Sequence, residues 1–476
     1  MKGGRHCHAL SPSELKHRLD ILAEERRLER NLIGMKLIDE VQDPVKDLFE
    51  FQFVAGILCK MDHAQLKQLE LSALNHHDSV AHDVGSGIKA QDDLFFDRFF
   101  LHFARRSKVT PYQMSAYYAV VFALYFLTLL VLLAGWHRRR FSPKRGGVLR
   151  RISVIVPVRN EASNIETLLD DLARIDYPAE YFEVLIVDDN SVDDTRQIVQ
   201  RRISGSDNYS LIRAAGSPGK KQAIETGVAS SKGELIVTTD ADCRVPAEWL
   251  RNISGAFASG EIQFLIGGVR ISGVGSFGLL QELEFLSVEG VTAATAQLGL
   301  PTMCNGANLA YRRSAFEAVG GYEGNREIRS GDDEFLMRKM IRKFKGSVFF
   351  LYEPDAVVTT PAQDTVRGFF RQRLRWASKW KFNDSLAAKS LAVWIVVFQA
   401  SWLLFPVAAA TQHFDIQWIL ALTAVKLIVE FVFLRGVSRF LRGHWSTLHF
   451  LILQFVYAPY VIFTGVAALL SRATWK

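Results

Sequence analysis

The stretch Glu234-Leu235-Ile236-Val237-Thr238-Thr239-Asp240-Ala241-Asp242 couples a short apolar run to two carboxylates one residue apart. A buried strand of an open α/β sheet would deliver Asp240 and Asp242 to its carboxyl end, where such sheets place their ligands. Two hard oxygen donors there suit Mg2+ or Mn2+ with a phosphorylated substrate. Taken alone, Asp-Ala-Asp reads as a solvated turn. Its meaning depends on what converges on it.

Around this stretch, residues 152–270 alternate strand-like runs with helical ones. Strands are expected at Ile152–Val158, Glu183–Val187, Ser210–Arg213, Glu234–Thr238 and Gln263–Val269. Early starts lie roughly 25–30 residues apart, the βαβ spacing of a mostly parallel, doubly wound α/β sheet. Ser163 and Glu166 read as a capping box opening the first helix. No Gly-x-Gly-x-x-Gly follows the first strand, so a dinucleotide fold is not favoured.

The chain has 476 residues, which predicts roughly two or three domains. Hydrophobic residues make up 49% and charged residues 22%, a mixture that suggests soluble and membrane parts in one chain. Cys7, Cys59, Cys243 and Cys304 are scattered without a Cys-x-x-Cys pair. That spacing supports neither a disulfide framework nor a zinc site. The net charge of +7 allows nucleic acid or an anionic surface as partner, and the placement of the basic residues decides between them.

Met114–Trp136 is uncharged, long enough to cross a bilayer, and flanked by Tyr and Trp. Arg138, Arg139, Arg140, Lys144, Arg145, Arg150 and Arg151 follow with no acid among them, which marks a cytosolic flank. Three further spans are expected near Leu391–Ala410, Ile416–Leu434 and Leu448–Leu470. The link Thr411–Gln417 has no Lys or Arg, whereas the next holds Arg435, Arg439 and Arg442. Residues 411–417 are therefore expected outside and 435–446 in the cytosol. A basic cluster beside a span is a topology signal, so no nucleic-acid partner is expected. Lys426 and Glu430, four apart inside a span, read as a local pair rather than a polar lumen.

Residues 1–113 are less informative. Ser13–Ile33 should be helical, and Asp47–Cys59 is too short to span a bilayer. Asn75-His76-His77-Asp78 reads as a surface turn, because adjacent histidines on a regular element point apart. No start-site signal peptide is visible.

Five stretches carry the chemistry: Val156-Pro157-Val158-Arg159-Asn160-Glu161, Val187-Asp188-Asp189-Asn190-Ser191 with Asp193-Asp194-Thr195, Gly219-Lys220-Lys221-Gln222-Ala223, Asp240-Ala241-Asp242, and Gly331-Asp332-Asp333-Glu334-Phe335-Leu336. The first, second and fourth would meet along one sheet edge. Together with Gln372-Arg373-Leu374-Arg375-Trp376, their order and spacing resemble family 2 glycosyltransferases, in the membrane-integral branch. That branch includes cellulose, hyaluronan and poly-N-acetylglucosamine synthases and ceramide glucosyltransferase. The resemblance covers about 152–380, or roughly 114–470 with the spans, and leaves 1–113 outside.

It implies a GT-A fold, α/β with a doubly wound, mostly parallel sheet, inserted between one N-terminal and three C-terminal transmembrane helices. The implied domains are 1–113 (an extension of unknown role, mainly helical), 114–136 (transmembrane), 137–366 (cytosolic GT-A), 367–388 (amphipathic and interfacial) and 389–476 (three transmembrane helices). Pro157, Arg159 and Glu161 would border a nucleotide, and Asp189 would bond the uracil ring. Lys220 or Lys221 would meet the nucleotide or its phosphates. Asp242 would hold Mg2+ or Mn2+, with Asp240 toward ribose or metal. Asp333 matches the family's general base, with Asp332 where Glu is usual. Gly306-Ala307-Asn308 resembles the acceptor-side segment. Gln372, Arg373, Arg375 and Trp376 would belong to the acceptor and diphosphate side, with Gln372, Arg375 and Trp376 at the active-site mouth.

Phe369, Phe370, Leu374 and Trp380 interleave with Arg371, Arg373, Arg375 and Lys379, so the same segment also reads as a helix lying at a bilayer surface. The two readings are compatible. The expected reaction is inverting, metal-dependent transfer from a nucleotide-diphosphate sugar, a UDP-sugar foremost, onto a lipid or glycan acceptor. The protein is expected in membrane lipid, in a bacterial inner (plasma) membrane, with the catalytic domain cytosolic. A processive polysaccharide synthase is the alternative, and a non-catalytic nucleotide-sugar-binding scaffold is the alternative of another class. Sugar identity and protein partners have no sequence signal. Met114 opens the first span, so residues 1–113 are expected to be an unrelated appendage or an over-long gene start. Mass spectrometry of the native protein checks this, and peptides upstream of Met114 would reject it.

Overall fold

The computed structural model describes residues 111–138 and 149–470, except 217, 327, 329–330, 380–383 and 412–414. The expectations for Ser13–Ile33, Asp47–Cys59, His76-His77, Trp380 and the basic residues at 139–145 lie outside the described residues.

A long apolar helix, α1 (Pro111–His137), precedes the sheet. Then β1 (Ile152–Val158), α2 (Ile165–Leu172), β2 (Phe182–Asp188), α3 (Thr195–Ile203), β3 (Tyr209–Arg213), α4 (Lys220–Ser230), β4 (Leu235–Thr238) and α5 (Trp249–Ala256) alternate. All four residues of β4 are buried, as a strand covered on both faces requires. The helix expected at Ser163 begins instead at Ile165. Asn164 is its N-cap and makes no side-chain capping bond, so the capping box does not form. The Asn164 side chain instead reaches Glu161 at 2.8 Å.

The run Gln263–Val269, expected as one strand, is two. It divides into β5 (Phe264–Gly267) and β6 (Val269–Ser272), which belong to different sheets. The Asn308 side chain occupies the space beside Gly267, where a Cβ would lie 2.3 Å from Asn308 Cγ. Then come α6 (Gly275–Gln297), β7 (Leu309–Arg312), α7 (Arg313–Ala318), α8 (Asp332–Lys343), β8 (Val348–Leu351), β9 (Val358–Pro361) and α9 (Val366–Ser378). Three helices close the chain: α10 (Leu386–Thr411), α11 (Ile416–Phe440) and α12 (Thr447–Leu470).

The seven-stranded sheet runs β3-β2-β1-β4-β7-β5-β8, and only β7 is antiparallel to its neighbours. It has the mostly parallel, helix-covered form of the GT-A fold. Pairing between β1 and β4 stops at Ile155 with Thr238, while β1 and β2 continue together to Val158 with Asp188. The ladder on the β4 side has therefore ended before Pro157, where a missing backbone N–H does no harm. The same early end opens a notch above β4.

Four helices are long and apolar enough to cross a membrane, at Met114–His137, Leu386–Ala410, Ile416–Phe440 and Thr447–Ala468. Lys426 and Glu430 pair locally at 3.0 Å, as expected. Helix α6 lies between these helices and the sheet domain, packing on α1, α11, α12 and β6. Its buried acids are all engaged: Glu282 accepts from His444 N at 2.7 Å, Glu284 binds Arg373 at 2.6 Å, and Glu289 accepts from Val269 N at 3.3 Å.

Asn308 ties the centre together. Its Oδ1 accepts from Trp249 Nε1 at 2.9 Å, and its Nδ2 donates to Gly268 O and Ala356 O, each at 2.9 Å. Asn308→Ala would orphan three buried groups and should cost roughly 3 kcal/mol or more of stability. Denaturant unfolding of the detergent-purified protein measures this. An unchanged midpoint would show that these bonds contribute nothing net.

Candidate active site

The loops leaving β1, β2 and β4 and the start of α4 enclose a cleft of ≈ 940 Å³. Its wall contains Pro157, Arg159, Glu161, Asp189, Lys220, Lys221, Asp240, Asp242 and Arg375. Parallel strands set the ends of β1, β2 and β4 side by side, and α9 adds Arg375 from more than 200 residues beyond Pro157. Buried Ala241 and Cys243 anchor the turn after β4 in the core, and Asp240 and Asp242 face the cleft.

Local bonds shape the first wall. Asn160 takes a positive φ of 57°, its N–H donates to Ser191 Oγ at 3.0 Å, and its Oδ1 accepts from Val192 N at 2.8 Å. Asp193 receives Ala162 N at 3.2 Å and Thr195 N at 3.1 Å. The acidic Asp-Asp-Asn-Ser loop is thus divided in function. Asp188 is buried against Arg196 at 3.1 Å, whereas Asp189 faces the cleft, accepts from Gly219 N at 3.1 Å and meets Arg159 at 3.6 Å.

The two adjacent lysines part ways. Lys221 is buried and its Nζ holds the 325–328 loop through Asn325 O at 2.7 Å and Ile328 O at 2.8 Å. Burial lowers its pKa to about 8. Lys220 joins Asp240 at 2.7 Å to Asp332 at 3.2 Å. Burial opposes its charge, but those two carboxylates raise its pKa above the ordinary lysine value. Gly306 permits this approach, because a Cβ there would sit 3.1 Å from both Lys220 Nζ and Asp332 Oδ2.

Asp333 stands behind this bridge, in the first turn of α8. Gly331 at φ 77° supplies the left-handed turn that starts the helix, and the N-terminal end of a helix favours carboxylates. Asp333 accepts from Gly306 N at 3.2 Å, Glu334 N at 2.7 Å and Lys379 Nζ at 3.1 Å. Burial alone would raise its pKa. Lys379 and Lys220 nevertheless hold it below the ordinary carboxylate value. Asp242 is shifted the other way, raised by burial and then by the charge of Asp240. Glu161 is also raised by burial, which the Asn164 hydrogen bond partly offsets while Asp242 and Asp240 add repulsion.

Several sequence-assigned residues are not in the cleft wall. Ala307 is buried in the core and Asn308 serves the strand junction described above. Arg373 turns to buried Glu284, and Gln372 accepts from Arg373 Nη1 at 2.5 Å. The ring of Trp376 packs on Phe285 at 5.8 Å and under the Arg373 guanidinium at 4.3 Å. Of the Gln-x-x-Arg-Trp segment, only Arg375 lines the cleft. Two residues of the site carried no signal of their own. Lys379 reads in sequence as one more interfacial cation, and Arg326, which lines the cleft and pairs with Glu225 at 2.9 Å, belongs to no motif.

Residues 153–320 match the model of "Glycosyl transferase family 2". Glycosyltransferase AglE of Haloferax volcanii is 30% identical over 260 residues, covering 52% of this chain and 80% of that protein. The chain belongs to glycosyltransferase family 2. An N-acetylglucosaminyltransferase of Rhizobium meliloti is 29% identical over 253 residues, 51% of this chain and 58% of the relative. The chain thus spans between about half and four-fifths of the length of its similar relatives. A solved mannosyltransferase of Pyrobaculum calidifontis, in complex with GDP-Man and Mn2+, aligns over 76% of this chain and 96% of its own at 21% identity, with a TM-score of 0.47. The strand-end cleft is the candidate active site of this family 2 glycosyltransferase.

Proposed function

We propose that the chain is an inverting, metal-dependent glycosyltransferase that moves a sugar from a UDP-sugar to a hydroxyl of a lipid-linked or glycan acceptor at a membrane. The observation that carries this reading is the position of Asp333. It is joined through Asp332 and Lys220 to the carboxylate pair of the cleft, yet lies outside the cleft wall. A base on one side and a leaving group on the other correspond to a single displacement.

The cleft fits a divalent cation. The charge of Asp240 adds to the cost of ionising Asp242, and both add to that of Glu161. Such mutual repulsion is relieved by a bound cation. No cluster of three His, Cys, Asp or Glu side chains at ligating spacing occurs among the described residues. Asp242 with Asp240 suits Mg2+ or Mn2+, which is ordinarily held by one or two carboxylates plus substrate phosphates and water. When bound, the ion supplies positive charge to the leaving diphosphate.

The chain's own residues do the rest. Arg159 and Asp189 border the nucleoside end of the cleft, and Lys220, Arg326 and Arg375 offer cations to the diphosphate. Asp333 takes the proton of the acceptor hydroxyl as that oxygen bonds to the anomeric carbon and the bond to diphosphate breaks. Lys379 keeps Asp333 ionised, at some loss of basicity. The basic residues Arg435, Arg439 and Arg442 support a cytosolic face for the catalytic domain in a bacterial inner membrane.

Asp333→Asn should abolish transfer while metal-dependent UDP binding persists, and unchanged transfer would remove Asp333 from the mechanism. Asp242→Ala should instead weaken UDP binding in the presence of Mn2+, as read by calorimetry; equal affinity with and without the substitution would count against it as a ligand. Lys379→Met tests the electrostatics. Without that ammonium the pKa of Asp333 rises, so more of it is protonated in mild acid. The acid-side fall of transfer rate should then begin at higher pH than in the unsubstituted enzyme, and a limb that moves down or stays would contradict the assignment.

A further inference from the structure

A second cavity, of ≈ 340 Å³, lies among the four long apolar helices beneath α6. Its lining includes Thr302, Met303 and Ala377. These belong to the same two segments that hold the base, since Asp333 accepts from Gly306 N and Lys379 Nζ. On α12 the lining residues run from Leu453 to Gly465. Twelve residues at 1.5 Å each give ~18 Å, close to half the ~30 Å hydrocarbon thickness of a bilayer. Along α12 that length is comparable to one leaflet's hydrocarbon chain.

The lining is predominantly apolar, and its polar side chains are largely occupied with one another. Lys426 Nζ donates to Glu430 at 3.0 Å and to Gln454 at 2.5 Å, and Tyr125 OH donates to Glu430 at 2.5 Å. Thr464 bonds back to Tyr460 O at 2.8 Å. A glycan threaded here would leave hydroxyls without partners, at about 1–3 kcal/mol each. A hydrocarbon chain needs none.

We propose that this cavity receives the hydrocarbon chain of a lipid acceptor and so presents the lipid's hydroxyl headgroup to Asp333. This rests on the reading of Asp333 as the base. It names the acceptor class of that site, and the seat of its tail, as lipid rather than growing polysaccharide.

The test uses the full-length protein in phosphatidylcholine nanodiscs. A diazirine-bearing diacylglycerol is photolysed and its adducts are mapped by mass spectrometry. Adducts on Leu453, Tyr457 or Ile395, competed by unlabelled diacylglycerol, are expected; adducts confined to lipid-facing side chains such as Phe455 or Leu420 would overturn the proposal. In parallel, radiolabelled UDP-sugars are supplied and products are divided into solvent-soluble and polymeric fractions. Label should enter the solvent-soluble fraction. Ala392→Phe, which narrows the cavity, should raise the KM for long-chain diacylglycerol about tenfold or more. KM for a short-chain soluble analogue and the slow hydrolysis of donor by water should not change, and the retained hydrolysis reports a folded protein. Gly465→Leu serves the same purpose if Ala392→Phe does not fold. Polymeric product with no effect of either variant would overturn the lipid assignment while leaving the transferase reading intact. A protein that binds no UDP-sugar but still shows competed cavity adducts would instead overturn the transferase reading.

Discussion

Lys220 is the constraint on which the rest of the site depends. One ammonium meets Asp240 from the turn after β4 and Asp332 from the first turn of α8. Without it, Asp240 and Asp332 would approach one another with no ammonium between them. Buried like charges shift one another's pKa and oppose folding. The bridge also sets the distance between the two halves of the site. The half built from β1, β2 and β4 is the donor's, and the half built from the 304–308 loop and α8 carries Asp333.

A second set of contacts seats this site on the membrane helices. Helix α6 is buried against α1, α11 and α12 on one side and β6 on the other. Glu284 on α6 binds Arg373 of α9 at 2.6 Å and accepts from Tyr460 of α12 at 3.1 Å. A buried carboxylate shared by two elements is costly to break, because either partner's loss leaves a charge unpaired. Helix α9 is thereby held with Arg375 toward the cleft and Lys379 on Asp333. The segment turns Arg373 to buried Glu284 and Arg375 to the cleft. Its residues are divided between the two jobs by the turn of the helix.

Much of the fold is legible in the residues themselves. The first strand, Ile152–Val158, coincides with its expected limits, and the next three differ by a residue or so at their ends. Apolar runs of that length, bounded by Asp, Asn and Gly, have few other stable settings. The four apolar helices are legible for the same reason. Later strands are not. Those at 309–312, 348–351 and 358–361 are four residues each and resemble many buried segments, and one of them runs antiparallel. The division at Gly268 depends on Asn308 approaching Gly267 from forty residues away in sequence, which no local pattern encodes. Ser163-x-x-Glu166 failed as a cap because the chain turns once more and starts its helix at Ile165.

What the sequence by itself determined is the set of chemical groups and the side of the sheet on which they emerge. Strand alternation and chain order place Asp189, Asp240 and Asp242 at strand ends whatever the surrounding packing, because parallel strands share one direction. Tertiary structure alone decided how each group is used. Lys220 and Lys221 are adjacent and identical in type, yet one bridges two carboxylates and the other holds a loop by backbone carbonyls. Asn308, Arg373 and Trp376 sit in motif positions and make internal contacts, while Lys379, which reads in sequence as an interfacial cation, lies on Asp333. Charge state and reach depend on neighbours brought from distant segments, and those distances exist only once the chain has folded.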